Sequence, residues 1–196
     1  MLALLCRWIY KTVYMIGRFD HDTVGKIHDY LSEAGLKRSA DELVVVGGAA
    51  MAAYGIKKLS ETDIDIAITD ELMEHLSHDD RWKPASDLQQ EKLVAVERGV
   101  IRTKSDPSRY AGLITKRGDI TAITPPLEDS TYAVSNKQLI RERVVPEGWK
   151  YGFSPLARIL DWKFTLAESP DYTGDREKHF ADCRLITAYL LELADT

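Results

Sequence analysis

Two aspartates, Asp63 and Asp65, lie one residue apart in a segment, 62–69, that alternates between apolar and other residues. This period of two predicts a strand, so both carboxylates project from one face, about 6.5–7 Å apart along it. Carboxylates so close together repel each other and resist burial, and Mg²⁺ suits a few carboxylates combined with phosphate oxygens. The pair therefore favours metal-dependent phosphate chemistry. The alternative interpretation is an exposed strand face with two ordinary charges.

A glycine pair, Gly47-Gly48, ends the apolar run Leu43–Val46 and precedes a short predicted helix over 49–54. Glycine lets an anion approach the backbone, and the first N–H groups of a helix attract negative charge. Fourteen residues separate the pair from Asp63, so one short unit supplies an anion-binding turn and a metal site. Neither a Gly-x-Gly-x-x-Gly run nor a Gly-Lys-[Ser/Thr] run occurs, which argues against a dinucleotide fingerprint and a Walker loop.

The elements that position these residues follow from periodicity and turn signals. Asp22 is the predicted cap of a helix that Gly35 ends, and a buried strand is predicted over 43–46. A hairpin, 112–115 and 119–124, turns at 116–118. Further helices are predicted over 71–76, 136–143, 155–167 and 176–193 and further strands over 93–96 and 100–103, whereas 79–90 gives no clear pattern.

This mixture predicts an α/β (α+β) fold in which a small mixed β-sheet is flanked by helices and followed by a C-terminal helical part. We expect a core over 1–126, with 1–20 as an N-terminal extension, and a mostly helical part over 127–196. The formal net charge is −5, from 26 basic and 31 acidic residues, so no global basic field recommends a nucleic-acid partner. Two distant cysteines argue against a disulfide framework and favour a cytoplasmic location, and the apolar start of the chain is too short to span a membrane.

Taken together, Val45-Val46-Gly47-Gly48, the fourteen-residue spacer and Asp63-Ile64-Asp65-Ile66 resemble the signature of the DNA polymerase β-type nucleotidyltransferase superfamily. That signature is a hydrophobic residue, Gly-[Gly/Ser], a spacer and two acids that alternate with hydrophobic residues. The stretch Ala49-Ala50-Met51-Ala52 with Tyr54-Gly55 is most similar to the branch of abortive-infection, type IV toxin–antitoxin nucleotidyltransferase toxins, called the toxin branch below. The resemblance is close over 42–69 and looser as far as Leu193.

The resemblance implies a nucleotidyltransferase fold and transfer of a nucleoside monophosphate from a nucleoside triphosphate to an acceptor hydroxyl. Asp63 and Asp65 would hold two Mg²⁺ ions, or Mn²⁺, and the backbone of Gly47 and Gly48 would hold phosphates. Many relatives carry an Arg-x-[Ser/Thr]-x-Asp run before the first acid, and this chain departs from that pattern with the run 58–63. Lys57 or Lys58 would stand in for the arginine with the spacing shifted by one, and the implied nucleotide-binding residues of this run are Lys58, Ser60 and Thr62.

A third carboxylate is expected on a later strand, and Asp119 opens the predicted strand 119–124. By resemblance, Asp119 would share one metal ion with the first two acids and accept the proton of the attacking hydroxyl. The alternative is an aspartate that caps the hairpin turn after Gly118. Asp106 and Glu97 are the second choices for the third acid.

In the helical part, Lys163 falls on the apolar stripe of the helix over 155–167. A lysine there either extends along the apolar surface to water or reaches into the cleft and meets triphosphate. Asp175, Lys178 and Asp182 share one face of the last helix, and the run Arg176 to Asp182 resembles the toxin branch. A plain salt-bridged helix face is one interpretation of these three residues, and support of Lys163 is the other.

The acceptor implied by the toxin branch is RNA, tRNA in particular, or a protein side chain, and a cognate antitoxin is the implied partner. Scattered surface charge and an RNA path explain equally well the basic residues Lys57, Lys58, Arg98, Arg102, Lys104, Arg109, Lys116 and Arg117. Two other functions stay open. One is a non-catalytic nucleotide-binding or interaction module that retains the fold, and the other is a transferase that modifies small molecules such as antibiotics.

Overall fold

Both helices and strands occur in the computed structural model, which describes residues 18–61, 63–85, 112–123, 136–168 and 175–195. The strands are β1 Leu43–Val45, β2 Ile64–Ile68, β3 Trp82–Pro84, β4 Leu113–Thr115 and β5 Ile120–Ile123. The helices are α1 His21–Glu33, α2 Gly47–Ala53, α3 Asp70–Ser77, α4 Asn136–Glu142, α5 Leu156–Glu168 and α6 Arg176–Ala194, and a 3₁₀ turn spans Leu36–Arg38. This arrangement confirms the predicted mixture of a small sheet with flanking helices.

The described strands form one mixed sheet in the order β1-β2-β5-β4-β3. Strand β2 runs antiparallel to β1 and parallel to β5, while β4 pairs antiparallel with both β5 and β3. In the parallel pair, Ile64 is the register partner of Ile120, and Asp65 is the partner of Thr121. The two strands that were predicted to carry acids are therefore direct neighbours.

Alternate side chains of β2 point to opposite faces of the sheet, and the two faces have different neighbours. Ile64, Ile66 and Ile68 are fully buried in the main core, against apolar residues of α1 and α2. On the opposite face, Ala67 packs with Val44 and with Ile140 of α4. Asp65 shares this second face by alternation, so α4 covers the neighbourhood of Ala67 and the acidic end of the strand lies beyond it.

Helix α1 shows how local signals set the boundaries. Its cap is Asp20, whose carboxylate accepts hydrogen bonds from the backbone N–H groups of Asp22 and Thr23, so the predicted cap, Asp22, is wrong by two residues. Asp20 and Asp22 both precede the apolar repeat. The helix begins after Asp20 because the side chain of Asp20 accepts hydrogen bonds from two N–H groups of the first turn. The helix ends before Gly35, which adopts a left-handed φ of 87°.

The C-terminal helices join the same core as the sheet. The N–H of Val45 donates to the carbonyl of Gly152 at 2.9 Å, and the N–H of Ser154 donates to the carbonyl of Val45 at 2.8 Å, so this segment lies along the free edge of β1. Phe153 is buried in the main core, as is Ile186 of α6. Within the described residues, no helix combines the length and the apolar character that a membrane span needs.

Candidate functional site

Asp65 is the central residue of the site, because it is the second residue of β2 and its side chain is only partly accessible to water. Burial and then the negative charge of Asp63 raise the pKa of Asp65 from 3.8 to about 6, although the charges of Lys163 and Lys178 act in the opposite direction. Asp63, one residue before β2, is exposed. The two carboxylates are therefore close enough to repel each other, as the strand pattern predicted.

The glycine pair lies directly against Asp65. Gly47 has a φ of +59°, and a Cβ atom on it would lie 3.3 Å from Oδ2 of Asp65. Both its backbone conformation and the closeness of the carboxylate favour glycine at this position. Helix α2 begins at Gly47 rather than after the pair, so both glycines belong to the first turn of the helix.

Lys163 and Asp182 meet in the interior between α5 and α6. Nζ of Lys163 lies 2.7 Å from Oδ2 of Asp182, with only 8% and 6% of the two side chains exposed. Burial opposes ionisation of Asp182, but the hydrogen bonds and charges of Lys163 and Lys57 outweigh it and lower its pKa. Lys163 thus does not extend along the surface to water. It is held inside, where its charge acts on Asp65.

Lys57, not Lys58, belongs to this cluster. Nζ of Lys57 lies 3.1 Å from Oδ1 of Asp182, and its Cε and Nζ each lie 3.3 Å from the place of a Cβ atom on Gly48. Lys58 and Ser60, both predicted to bind nucleotide, are exposed, and Thr62 lies outside the described residues. The sequence could not decide between the two lysines because the loop after α2 has no periodicity.

The backbone of Asp119 lies beside that of Asp63. The N–H of Ile64 donates to the carbonyl of Asp119 at 3.0 Å, and the register of β2 with β5 continues this pairing backward. The carboxylate of Asp119, however, is already bonded. The hydroxyl of Thr115 donates to its Oδ1, and Nη2 of Arg117 lies 2.7 Å from its Oδ2.

These contacts correspond to the hairpin interpretation of Asp119, which is compatible with its position beside Asp63. Arg117 also bonds Glu33 of α1 at 2.8 Å, so it links the hairpin turn to the first helix. In the described part of the chain, no set of three or more His, Cys, Asp or Glu side chains is arranged to hold a metal ion. Asp63 and Asp65 are thus neighbouring acids, while both carboxylate oxygens of Asp119 already have a partner, Thr115 for one and Arg117 for the other.

Some of the remaining predicted residues lie at the start of α6, and the others lie outside the described residues. Asp175 caps α6 by accepting from the N–H of Lys178 at 2.9 Å, whereas the exposed Lys178 acts electrostatically on Asp65. His179, which the sequence analysis did not single out, is buried, and burial followed by the charge of Lys163 lowers its pKa. The positions that lie outside the described residues are Glu97, Arg98, Arg102, Lys104, Asp106 and Arg109.

Comparison with known proteins gives no relative: no family model matches the chain, and neither a curated protein nor a solved structure matches it. A function is therefore inferred from the site residues and from the sequence signature that they carry.

Proposed function

We propose that this chain is a metal-dependent nucleotidyltransferase with the nucleotidyltransferase fold, which transfers a nucleoside monophosphate from a nucleoside triphosphate to an acceptor hydroxyl and releases pyrophosphate. The observation that carries the proposal is the close approach of Asp65 to Gly47, with Lys163 acting on the same carboxylate. An acid pair for metal, a glycine turn for phosphate and a buried cation are the three parts that phosphoryl transfer requires.

The donor set fits magnesium. Mg²⁺ binds through one or two carboxylates and completes its shell with water and substrate phosphate oxygens, and Asp63, just before β2, and Asp65, within it, offer such a pair. When bound, Mg²⁺ or Mn²⁺, two ions in the full scheme, neutralises charge on the triphosphate and favours ionisation of the acceptor hydroxyl. Asp119 would complete the set once its carboxylate exchanges Arg117 for the ion.

The chain's own groups would position the substrate. The N–H groups of Gly47 and Gly48 would donate to phosphate oxygens, because the glycines leave no side chain between backbone and ligand. The ammonium of Lys163 would stabilise the charge of the transferring phosphate, with Asp182 fixing its position. Asp119, beside Asp63, would accept the proton of the acceptor hydroxyl, and Asp175 and Lys178, with Asp182, would support Lys163.

RNA is the acceptor that we propose first, tRNA in particular, with a protein hydroxyl as the next acceptor to test. The turn beside Asp119 exposes Lys116 and Arg117, and such cations bind phosphate backbones. The resemblance to the toxin branch adds a cytoplasmic location and a cognate antitoxin as the partner. The same site would modify a small-molecule hydroxyl if the acceptor were an aminoglycoside-type antibiotic.

One observation favours a second function, a nucleotide-binding module without catalysis. Arg117 and Thr115 hold the carboxylate of Asp119, and the described residues contain no three-ligand metal group. If this arrangement persists with substrate bound, nucleotide would bind at the glycine turn but would not react.

The decisive experiment incubates the protein with each α-labelled nucleoside triphosphate and Mg²⁺, in the presence of total RNA, of protein or of an aminoglycoside, and separates the products. Label transferred by the wild type but not by Asp63→Asn or Asp65→Asn supports the transferase. Asp80→Asn, which changes an exposed aspartate in the turn after α3, is the matched control and should transfer label normally. Metal-dependent nucleotide binding by calorimetry without any transfer would establish the non-catalytic module instead.

A further inference from the structure

One buried carboxylate forms ion pairs with the ammonium groups of two lysines. Asp182 of α6 pairs with Lys163 of α5 at 2.7 Å and with Lys57, from the loop after α2, at 3.1 Å. Among the described residues, no other carboxylate forms an ion pair with either lysine. One negative charge in direct contact with two positive charges leaves the cluster able to accept an anion.

The two lysines differ in their access to solvent. Lys163 is 8% exposed, whereas 26% of the Lys57 side chain is exposed. The ammonium of Lys57 can therefore reach an incoming ligand, while its ion pair with Asp182 limits the other positions that the side chain can adopt. The carboxylate holds the ammonium in place before the ligand arrives, which reduces the entropy that binding has to overcome.

The end of Lys57 lies against the glycine turn. Its Nζ is 3.3 Å from the place of a Cβ atom on Gly48, while Oδ2 of Asp65 is 3.3 Å from the corresponding place on Gly47. The two adjacent glycines thus each have a charged group close by, Asp65 beside Gly47 and Lys57 beside Gly48. A phosphate group bound at this turn would be within reach of the Lys57 ammonium.

We infer that Lys57 is a polyphosphate-binding residue, positioned by Asp182, and that Lys58 takes no part. The inference rests on the proposed function for the identity of the nucleotide, but not for the binding of phosphate itself.

Two neighbouring lysines allow a matched test. Inorganic tripolyphosphate with Mg²⁺ is titrated by calorimetry into the wild type, Lys57→Gln and Lys58→Gln. Loss of one charge-assisted contact should weaken binding by Lys57→Gln about 10-fold to 100-fold, and Lys58→Gln should bind within about twofold of the wild type. Lys57→Gln should stay folded, because Asp182 keeps Lys163 as its partner. Equal binding by all three proteins, or equal loss in both variants, would overturn the inference.

A second measurement uses the unaltered protein and so does not depend on how a variant folds. Lysines are acetylated with a water-soluble reagent and quantified by mass spectrometry, with and without tripolyphosphate. Tripolyphosphate should slow acetylation of Lys57 and leave Lys58 unchanged. If both lysines react at the same rate with and without the anion, Lys57 does not bind it.

The proposed transferase and this inference can fail separately. If tripolyphosphate binds through Lys57 but no label is transferred, the anion site stands and the transferase does not. If label is transferred and Lys57→Gln leaves the KM for nucleotide unchanged, the transferase stands and the inference fails. When both hold, Lys57→Gln raises the KM for nucleotide more than it lowers kcat, a division that a purely structural role would not produce.

Discussion

Replacement of Asp65 by asparagine should make the protein more stable at neutral pH while removing the proposed nucleotide transfer. The fold raises the pKa of this carboxyl from 3.8 to about 6, so the native state favours the protonated form. Native stability is therefore lost as pH rises from 3.8 to about 6, and above that the full penalty applies. A tenfold change in proton affinity corresponds to about 1.4 kcal/mol, so the penalty at pH 7.5 is roughly 3 kcal/mol.

Asparagine has nearly the shape of the protonated acid and carries no charge, so Asp65→Asn should regain most of that free energy. We expect the free energy of unfolding in urea, measured in EDTA, to rise by up to about 3 kcal/mol at pH 7.5. At pH 5 the gain should be about half as large, because the unfolded acid is then ionised and the native acid is mostly not. Asp80→Asn serves as the control and should change neither value.

Added Mg²⁺ should make the wild type more stable than Asp65→Asn. An ion that binds the native state stabilises it in proportion to the logarithm of its concentration above Kd, and the wild type retains both acids for it. Asp65→Asn should show little response. A variant that is less stable than the wild type at pH 7.5, or a gain that is the same at pH 5 and pH 7.5, would refute the view that Asp65 is kept at the expense of stability.

Three further substitutions test other parts of the site. Gly47→Ala forces a Cβ into a left-handed φ of 59° and against Asp65, so we expect a loss of about 1–3 kcal/mol in urea unfolding together with loss of nucleotide binding by calorimetry; unchanged binding would exclude the glycine turn as the phosphate site. Lys163→Met should abolish label transfer but cost less stability than removal of a buried charge usually does, because Lys57 still pairs with Asp182; full transfer would remove Lys163 from the site. Arg117→Gln releases the carboxylate of Asp119 and should lower the Mg²⁺ concentration for half-maximal transfer severalfold; an increase would show that Arg117 assists the reaction instead.

Much of the fold could be predicted from periodicity. The long helices were predicted over 155–167 and 176–193 and are observed as Leu156–Glu168 and Arg176–Ala194, because apolar repeats persist over several turns. The hairpin was predicted from its turn residues and differs by one residue at its strand ends. Strand β3, Trp82–Pro84, was missed. It has three residues, two of them exposed, and its existence depends on pairing with β4 rather than on a pattern of its own.

The site could be predicted only where local pattern determines side-chain direction. Alternation placed Asp63 and Asp65 together, and helical spacing placed Lys163 on the inner side of its helix. Which lysine of the pair 57–58 turns inward depends on Asp182, a residue 125 positions away. The bonds of Asp119 to Thr115 and Arg117 depend on the conformation of one turn. Long-range ion pairs and turn contacts leave no periodic trace in the sequence.

The shared carboxylate of Asp182 also determines when the site can exist during synthesis. The acid pair and the glycine turn emerge from the ribosome early, but their two lysines gain a common partner only when α6 has been made and docked. Contacts between such distant segments form late in folding. A nascent chain that lacks α6 would therefore carry its acids and glycines without the paired cations, and any reaction at this site would begin only after α6 has been made and has docked.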